Sequence, residues 1–341
     1  MKERVIYLDI LKAICCFLVI VLHVSTQNWS NCDVNSFAWD IFNIYDSITR
    51  FTVPVLVMIS GALFLNGKKQ IEIKSLYRKN ILRLIISYLF WSTIYAAYLQ
   101  MFVERGSLKE FVFNVINGYY HMWFIPMIIG LYILVPILRK VAEDVDVMRY
   151  FIIVSLFFTF LVPVGLKLPY IAKFKSVYEN MELYFPLGYV SYFVLGHYLA
   201  NKETGHMRKL IMAGGAAGIL LTIGISKILS IKNGYATGYY GNDTIPVLLA
   251  SVAIFEGVKY LCSENQVEGR VRQGINIGSK YSLGIYLLHP LLILILKGLG
   301  LNTLTFNPVI SVPIISIIVY LLSMALVLLL SKIPKLGKVI V

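Results

Sequence analysis

Charged side chains are scarce in this chain, and acidic ones are much rarer than basic ones. Only 14% of the 341 residues are charged, with 18 Asp and Glu against 31 Lys and Arg, whereas soluble domains have about 25% charged residues. A mean hydropathy of +0.75 indicates a polytopic membrane protein instead. The net charge of +13 does not imply a nucleic-acid partner, because the basic residues lie in short segments between apolar runs, as at a membrane surface.

Several sequence signatures of known chemistry are also absent. The chain has no G-x-S-x-G, Walker A or H-E-x-x-H motif, and no pair of carboxylates stands out as a hydrolytic site. Its four cysteines, Cys15, Cys16, Cys32 and Cys262, lack metal-type spacing. We therefore expect no disulfide framework, no zinc site and no permanently bound cofactor.

What the chain does contain is ten apolar runs long enough to cross a bilayer. They lie near residues 5–25, 47–66, 81–101, 122–138, 150–166, 183–200, 209–229, 244–262, 280–297 and 309–331. The sequence thus predicts an all-α integral membrane protein of about ten transmembrane helices, with residues 1–341 forming one domain and no separate soluble domain. The fourth run contains Pro126 and Pro136 and is expected to be tilted or interrupted.

The distribution of basic residues predicts the orientation. Lys and Arg concentrate in the N-terminal segment, the alternate loops and the C-terminal tail, so both termini are expected to be cytoplasmic. The residues that set this bias include Lys2, Arg4, Lys68, Lys69, Lys335 and Lys338, whereas Arg105 is one of the fewer basic residues on the opposite side. The longest outer loops are expected at 26–46 and 102–121, and the first helix does not read as a cleavable signal peptide.

The first apolar run contains three ionisable residues. Lys12 and His23 are eleven positions apart, which places them on nearly the same helix face about 16 Å apart along the axis. Asp9 lies one turn before Lys12 and can neutralise it. A charge at the centre of a membrane helix costs roughly 2.5–3.5 kcal/mol, so this stripe is expected to face a protein interior, with His23 toward the outer side.

Two arginines also lie inside apolar runs. Arg50 opens the second run at about the depth of His23, where it is either a site residue or an interfacial snorkelling residue. Ser60 and Gly61 further along this run predict close approach of a neighbouring helix. Arg83 follows the basic stretch 68–79 and lies about one turn inside the third run. Its guanidinium suits a phosphate group, although the lysines of the stretch alone fit ordinary cytoplasmic bias.

Histidines and aromatic residues mark two further places. His121 and Trp123 lie at the expected outer rim, either as site residues or as part of an aromatic belt. Tyr286 and His289 lie within the ninth run, where His289 is either functional or a helix-packing residue. Other polar candidates remain unranked, namely Glu182, Tyr184, Asp243 and Glu256, while His197 and His206 are expected at loop edges.

At these residues the sequence resembles the membrane-bound acyltransferase 3 family, the ten-helix O-acyltransferases that modify cell-surface glycans. Five motifs in order carry the resemblance. They are K-x10-H from Lys12 to His23, R-F-x-V-P-x-x-x-x-I-S-G from Arg50 to Gly61, the basic stretch leading to Arg83, H-M-W-F-I-P from His121 to Pro126, and Y-S-L-G-I-Y-L-L-H-P from Tyr281 to Pro290. One departure is Lys12, where the family usually has Arg, which keeps the charge but loses the planar guanidinium fork.

The resemblance implies transfer of an acyl group, usually acetyl, from cytoplasmic acyl-CoA to a sugar hydroxyl outside a bacterial-type plasma membrane. It assigns catalysis to His23 and Arg50, with His23 either as general base or as a transient carrier of the acyl group. It assigns acyl-CoA binding to Lys12, Arg78, Lys79 and Arg83, and acceptor binding to His121, Trp123, Tyr286 and His289. The expected partners are acyl-CoA as donor substrate, the glycan acceptor and the bilayer, with no nucleic acid.

Two alternative functions, from other classes of membrane protein, remain open at this point. A secondary transporter or flippase for a glycan or small metabolite also places charged residues in spanning helices. A non-enzymatic glycan-assembly subunit would tolerate changes at both His23 and Arg50. An acceptor other than a sugar is a further alternative within the enzyme reading.

Overall fold

The computed structural model describes residues 5–67, 70–103, 106–168, 170–181, 188–264, 267–334 and 337–340. Several residues considered in the sequence fall outside these ranges, namely Lys2, Arg4, Lys68, Lys69, Arg105, Glu182, Tyr184 and Lys335. Within the described ranges the chain is helical and contains no strand, which confirms the all-α prediction.

Sixteen α-helices follow one another along the described chain. The first eight are α1 (Ile6–Ser25), α2 (Phe37–Thr49), α3 (Thr52–Phe64), α4 (Ile73–Leu76), α5 (Leu82–Phe102), α6 (Leu108–Asn117), α7 (Phe124–Glu143) and α8 (Val145–Leu156). The others are α9 (Val162–Gly165), α10 (Lys175–Asn180), α11 (Tyr189–Asn201), α12 (Arg208–Asn233), α13 (Ile245–Glu264), α14 (Gly269–Gly298), α15 (Pro308–Leu330) and α16 (Gly337–Ile340). Single π-helical turns at Tyr77–Ile81 and Phe157–Leu161 join α4 to α5 and α8 to α9.

Nine helical segments in the described part of the chain are long and apolar enough to cross a membrane. The predicted run at 183–200 is described only as α11, whose 13 residues begin after Gly188. Helix α11 is buried along most of its length, and it includes His197, which is 7% exposed. The expectation of a loop-edge His197 was therefore wrong, whereas His206 does lie exposed in a short turn.

Two other local expectations are corrected by the structure. The fourth run is one continuous 20-residue helix, α7, which accommodates Pro136 in its interior, so the alternative of an interrupted helix was wrong. The predicted outer loops at 26–46 and 102–121 are partly helical, because they contain most of α2 and all of α6. Ser107 caps α6 in a capping box with Glu110, which supplies partners for backbone groups at that helix start.

Helix α1 lies at the centre of the bundle, in contact with α2, α3, α13, α14 and α15. Close packing of α3 on α11 forms a second part of the core. A Cβ atom built on Gly61 would lie 1.7 Å from the carbonyl oxygen of Phe193, and one on Gly196 would lie 2.2 Å from that of Met58. Only glycine permits this backbone approach, so the close packing predicted at Gly61 is confirmed.

Candidate active site

Three histidines from distant parts of the sequence meet at one end of the bundle. The ring centroid of His23, in the last turn of α1, lies 5.2 Å from that of His289 in α14 and 6.4 Å from that of His121, which precedes α7. The His121 and His289 centroids are 5.7 Å apart. His121 and His289 are buried, whereas His23 is partly exposed. We call these residues the histidine cluster.

The histidine cluster does not form a metal site in this geometry. Among the residues that the structure describes, no group of three or more His, Cys, Asp or Glu side chains is arranged to hold a metal ion. Imidazoles also transfer protons, because the unperturbed pKa of histidine is near neutral.

The protonation of His289 can be assigned from its neighbour. Its Nδ1 lies 3.2 Å from the backbone carbonyl oxygen of Ile285. A carbonyl oxygen can only accept a hydrogen bond, so Nδ1 carries the proton. The Nε2 atom of neutral His289 then holds a lone pair, and it has no hydrogen-bond partner in the described part of the chain. His289 thus presents an acceptor nitrogen in a buried site next to His23.

The Tyr95 hydroxyl bridges two backbone groups in the turn of α14 that contains His289. Pro290 has no backbone N–H and removes one hydrogen bond from this helix. At the next position the Tyr95 hydroxyl is inserted between two backbone groups, donating to the Leu287 carbonyl oxygen at 2.8 Å and accepting from the Leu291 N–H at 3.0 Å. Tyr95 is 1% exposed. Its hydroxyl therefore satisfies both groups in the turn that contains His289.

Tyrosines surround the other two imidazoles. The Tyr120 hydroxyl lies 3.4 Å from Nδ1 of His23, and the two rings meet edge to face. The Tyr286 hydroxyl donates a hydrogen bond to the backbone carbonyl oxygen of His121. These contacts orient the two histidines through neighbouring aromatic groups.

A cavity of about 300 Å³ extends from the opposite end of the bundle toward the histidine cluster. Four basic side chains line it, namely Lys12, Lys79, Arg83 and Lys280. Apolar residues of α3 and α7 form much of its wall, including Leu56, Ile59, Leu63, Phe64, Ile125 and Ile128. It also reaches Tyr286, whose ring centroid is 5.9 Å from that of His289. We call this space the basic cavity.

Arg50 lies where α2 ends, next to a buried acid. Its Nη2 atom is 2.5 Å from Oδ2 of Asp46, a side chain with no exposed surface, and its guanidinium carbon is 4.4 Å from the ring centroid of Tyr240. The Nε atom of Arg50 has no hydrogen-bond partner among the described residues. These contacts hold the guanidinium and leave its Nε–H for a further acceptor.

The structure brings most of the predicted site residues together, but not all of them. His23, His121, Tyr286 and His289 meet in one cluster, and Lys12, Lys79 and Arg83 line one cavity. Arg78 is exposed and does not line that cavity. Trp123 is 44% exposed, and its ring lies 5.7 Å from that of Tyr189.

Sequence reasoning missed four residues of the site. Lys280 directly precedes the Y-S-L-G-I-Y-L-L-H-P motif, and Tyr120 directly precedes His121. Their positions next to predicted site residues could have identified both of them. Asp46 was signalled by its spacing of four residues from Arg50, which allows an ion pair on a helix. Tyr95 had no such signal, because it lies in a run of aromatic and apolar residues typical of any spanning helix.

Comparison with known proteins identifies the family. The model of the acyltransferase 3 family, described as an acyltransferase domain, matches residues 5–331. The chain belongs to the acyltransferase 3 family. It is also similar to proteins from several Staphylococcus aureus strains, including MRSA252 and MSSA476, each named "Probable poly-beta-1,6-N-acetyl-D-glucosamine export protein". Each is 21% identical over 315 residues, covering 86% of this chain and 83% of the relative. No solved structure shows significant similarity.

Proposed function

We propose that this membrane acyltransferase moves an acetyl group from cytoplasmic acyl-CoA to a hydroxyl group of a glycan on the outer side of a bacterial plasma membrane. The single observation that carries the proposal is the basic cavity, which connects four basic side chains at one end with the tyrosine beside the histidine cluster. In the orientation that the basic residues of the sequence predict, with both termini in the cytoplasm, the basic end of the cavity faces the side where acyl-CoA is made.

The basic cavity matches the chemistry of acyl-CoA. Lys12, Lys79, Arg83 and Lys280 bind the nucleotide phosphates through charge-assisted hydrogen bonds. The pantetheine arm then lies along the apolar wall, and the thioester reaches the region of Tyr286. Arg83 also donates from Nε to the backbone carbonyl oxygen of Val339 at 3.4 Å, which fixes part of its orientation beside the cavity.

Acyl transfer then needs a base and a group that stabilises negative charge. His23 removes the proton from the acceptor hydroxyl as that oxygen attacks the thioester carbonyl carbon. Arg50 stabilises the oxyanion of the tetrahedral intermediate. The C–S bond breaks as the carbonyl re-forms, and the imidazolium returns the proton to the leaving CoA sulfur. His289, with its acceptor Nε2 beside His23, supports the charge that forms on the His23 ring.

Two observations support a glycan as the acceptor, namely the names of the relatives and the residues at the outer rim of the site. The names of the Staphylococcus aureus relatives include the polysaccharide poly-beta-1,6-N-acetyl-D-glucosamine. Aromatic residues and histidines surround the end of the site that is expected to face outward, as in pockets that combine apolar surface with a few polar groups.

The test is acetyl transfer by inverted membrane vesicles that receive radiolabelled acetyl-CoA. Wild-type protein should incorporate label into the glycan fraction, and His23→Ala should reduce incorporation by at least about 100-fold, since base catalysis contributes about 10²–10⁴-fold. His206→Ala is the matched control, because His206 is exposed in a turn. Equal labelling by wild type and His23→Ala would refute the assigned role of His23.

A second candidate function is export or flipping of a glycan, and the names of the relatives favour it. The two functions differ in their need for a donor. An exporter moves labelled oligosaccharide across proteoliposomes without acyl-CoA, whereas the proposed enzyme consumes acetyl-CoA in purified form. Transport without a donor, together with no acetyl-CoA consumption, would establish the second function instead.

A further inference from the structure

A smaller cavity of about 160 Å³ lies outside the histidine cluster and the basic cavity. It is lined by Gly188, Tyr189 and Tyr192 from the start of α11, and by Asn242 and Asp243 from the segment before α13. Its volume is close to the roughly 150 Å³ of an engineered protein cavity that holds benzene. A single six-membered ring is therefore the right size of occupant.

Hydrogen bonds hold the wall of this cavity in a defined arrangement. The Asn242 side-chain amide donates to the Tyr189 hydroxyl at 2.7 Å, and the Tyr192 hydroxyl donates to the Asn242 backbone carbonyl at 2.7 Å. The Tyr189 hydroxyl accepts in this network and keeps its own O–H for another acceptor. Asp243 is exposed at the rim and presents carboxylate oxygens that accept from hydroxyl groups.

The small cavity is connected to the histidine cluster by a series of aromatic contacts. The Tyr189 ring lies 5.7 Å from Trp123, and Trp123 lies 6.4 Å from Phe124. Phe124 lies 5.6 Å from Tyr286, which contacts both His121 and His289. Since α7, α11 and α13 all begin here, the cavity lies at the same end of the bundle as the histidine cluster.

The residues that line the small cavity do not suit acyl-CoA or an anionic lipid. Among the residues that the structure describes, the five that line this cavity include no Lys or Arg, so none of them supplies the basic group that phosphates of acyl-CoA or of an anionic lipid require. It combines two tyrosine rings with an amide and a carboxylate. Such a set suits a neutral ring that carries several hydroxyl groups.

We propose that this cavity binds one pyranose unit of the acceptor glycan, with Asp243 and Tyr189 hydrogen-bonded to its hydroxyl groups and Trp123 beside it on the path to His23. The proposal rests on the proposed function for the identity of the acceptor and adds the residues that select it. It makes Asp243 and Tyr189 specificity-determining residues, whereas the acyl donor binds elsewhere.

The test uses purified protein in lipid nanodiscs with a β-1,6-linked N-acetylglucosamine tetrasaccharide as the probe. Acetyl-CoA turnover is measured against probe concentration, and probe binding is measured separately by calorimetry without acyl-CoA. Asp243→Ala and Tyr189→Phe should each raise the acceptor KM and the probe Kd about 10-fold, as expected for loss of a hydrogen bond to a charged or buried group. The KM for acetyl-CoA should stay within twofold.

Two control variants match these changes in chemistry. Asp33→Ala removes an exposed acid from the segment between α1 and α2, and Tyr235→Phe alters a tyrosine that is 66% exposed. Both should leave the acceptor KM unchanged. Thermal melting of each variant identifies any that fails to fold, and Tyr189→Phe keeps the ring that packs beside Trp123.

The outcomes separate this proposal from the proposed function. Acetyl-CoA consumption with an unchanged acceptor KM in Asp243→Ala and Tyr189→Phe would overturn the sugar subsite and leave the enzyme assignment intact. Probe binding that depends on Asp243 in a protein that consumes no acetyl-CoA would support the subsite and overturn the enzyme. Absence of probe binding to wild-type protein would overturn the subsite.

Discussion

Replacing Tyr95 by Phe tests whether the hydroxyl that bridges two backbone groups of α14 positions the histidine cluster. The substitution removes one oxygen atom, which donates to the Leu287 carbonyl at 2.8 Å and accepts from the Leu291 N–H at 3.0 Å. The aromatic ring, stacked on Tyr119 with centroids 4.7 Å apart, is kept. The variant therefore isolates the two hydrogen bonds from the packing.

The expected magnitude follows from these two backbone groups. A buried group left without a partner costs about 1–3 kcal/mol, so an unchanged backbone would lose about 2–6 kcal/mol in the folded state. A direct, shorter bond from the Leu291 N–H to the Leu287 carbonyl would recover most of that energy, but it would move the turn that carries His289. Because a shift of about 1 Å can cost about 100-fold in rate, we expect kcat to fall about 10- to 100-fold.

The assay is acetyl-CoA turnover by purified protein at saturating glycan acceptor. The KM for acetyl-CoA should remain within twofold, because Tyr95 does not line the basic cavity. Tyr98→Phe is the matched control, since Tyr98 lies one turn further along α5 and contacts Phe102. A Tyr95→Phe protein with wild-type kcat and an unchanged melting temperature would refute the reasoning.

Two further predictions concern the packing and the donor site. Gly196→Ala should destabilise the protein by about 1–3 kcal/mol or more, because a Cβ there lies 2.2 Å from the Met58 carbonyl oxygen. The control is Gly130→Ala, where the added methyl meets no atom within 4 Å. The melting temperature of Gly196→Ala should be the lower of the two. Arg83→Ala should raise the KM for acetyl-CoA about 10-fold through loss of a charge-assisted bond, while Arg78→Ala should not. Equal melting temperatures in the first pair, or equal KM values in the second, would contradict these assignments.

The sequence was most informative about individual helices. Hydropathy located the spanning segments, and Ser60 and Gly61 indicated a close helix contact that the structure places between α3 and α11. The stripe from Lys12 to His23 predicted that α1 faces the protein interior, and α1 is indeed the central helix. Each of these features depends on local spacing, which is visible without knowledge of the neighbours.

Contacts between helices could not be predicted from local spacing in the sequence. Periodicity shows which face of a helix is polar, but not which helix packs against that face. The meeting of His23, His121 and His289 therefore had to come from the structure, as did the insertion of Tyr95 into α14. Lengths were misjudged where helices continue past the apolar run: α2 extends into a predicted loop, and α14 begins at Gly269, before the run predicted at 280–297.

The central claim is that acyl-CoA binds in the basic cavity with its thioester at the histidine cluster. The most direct measurement is an electron cryomicroscopy structure with a thioether analogue of acetyl-CoA, which cannot transfer its acetyl group. The account predicts density for the nucleotide phosphates beside Lys12, Lys79, Arg83 and Lys280, and the carbonyl of the analogue near His23 and His289. Density for the analogue outside this cavity, or with its carbonyl remote from the histidines, would contradict the account.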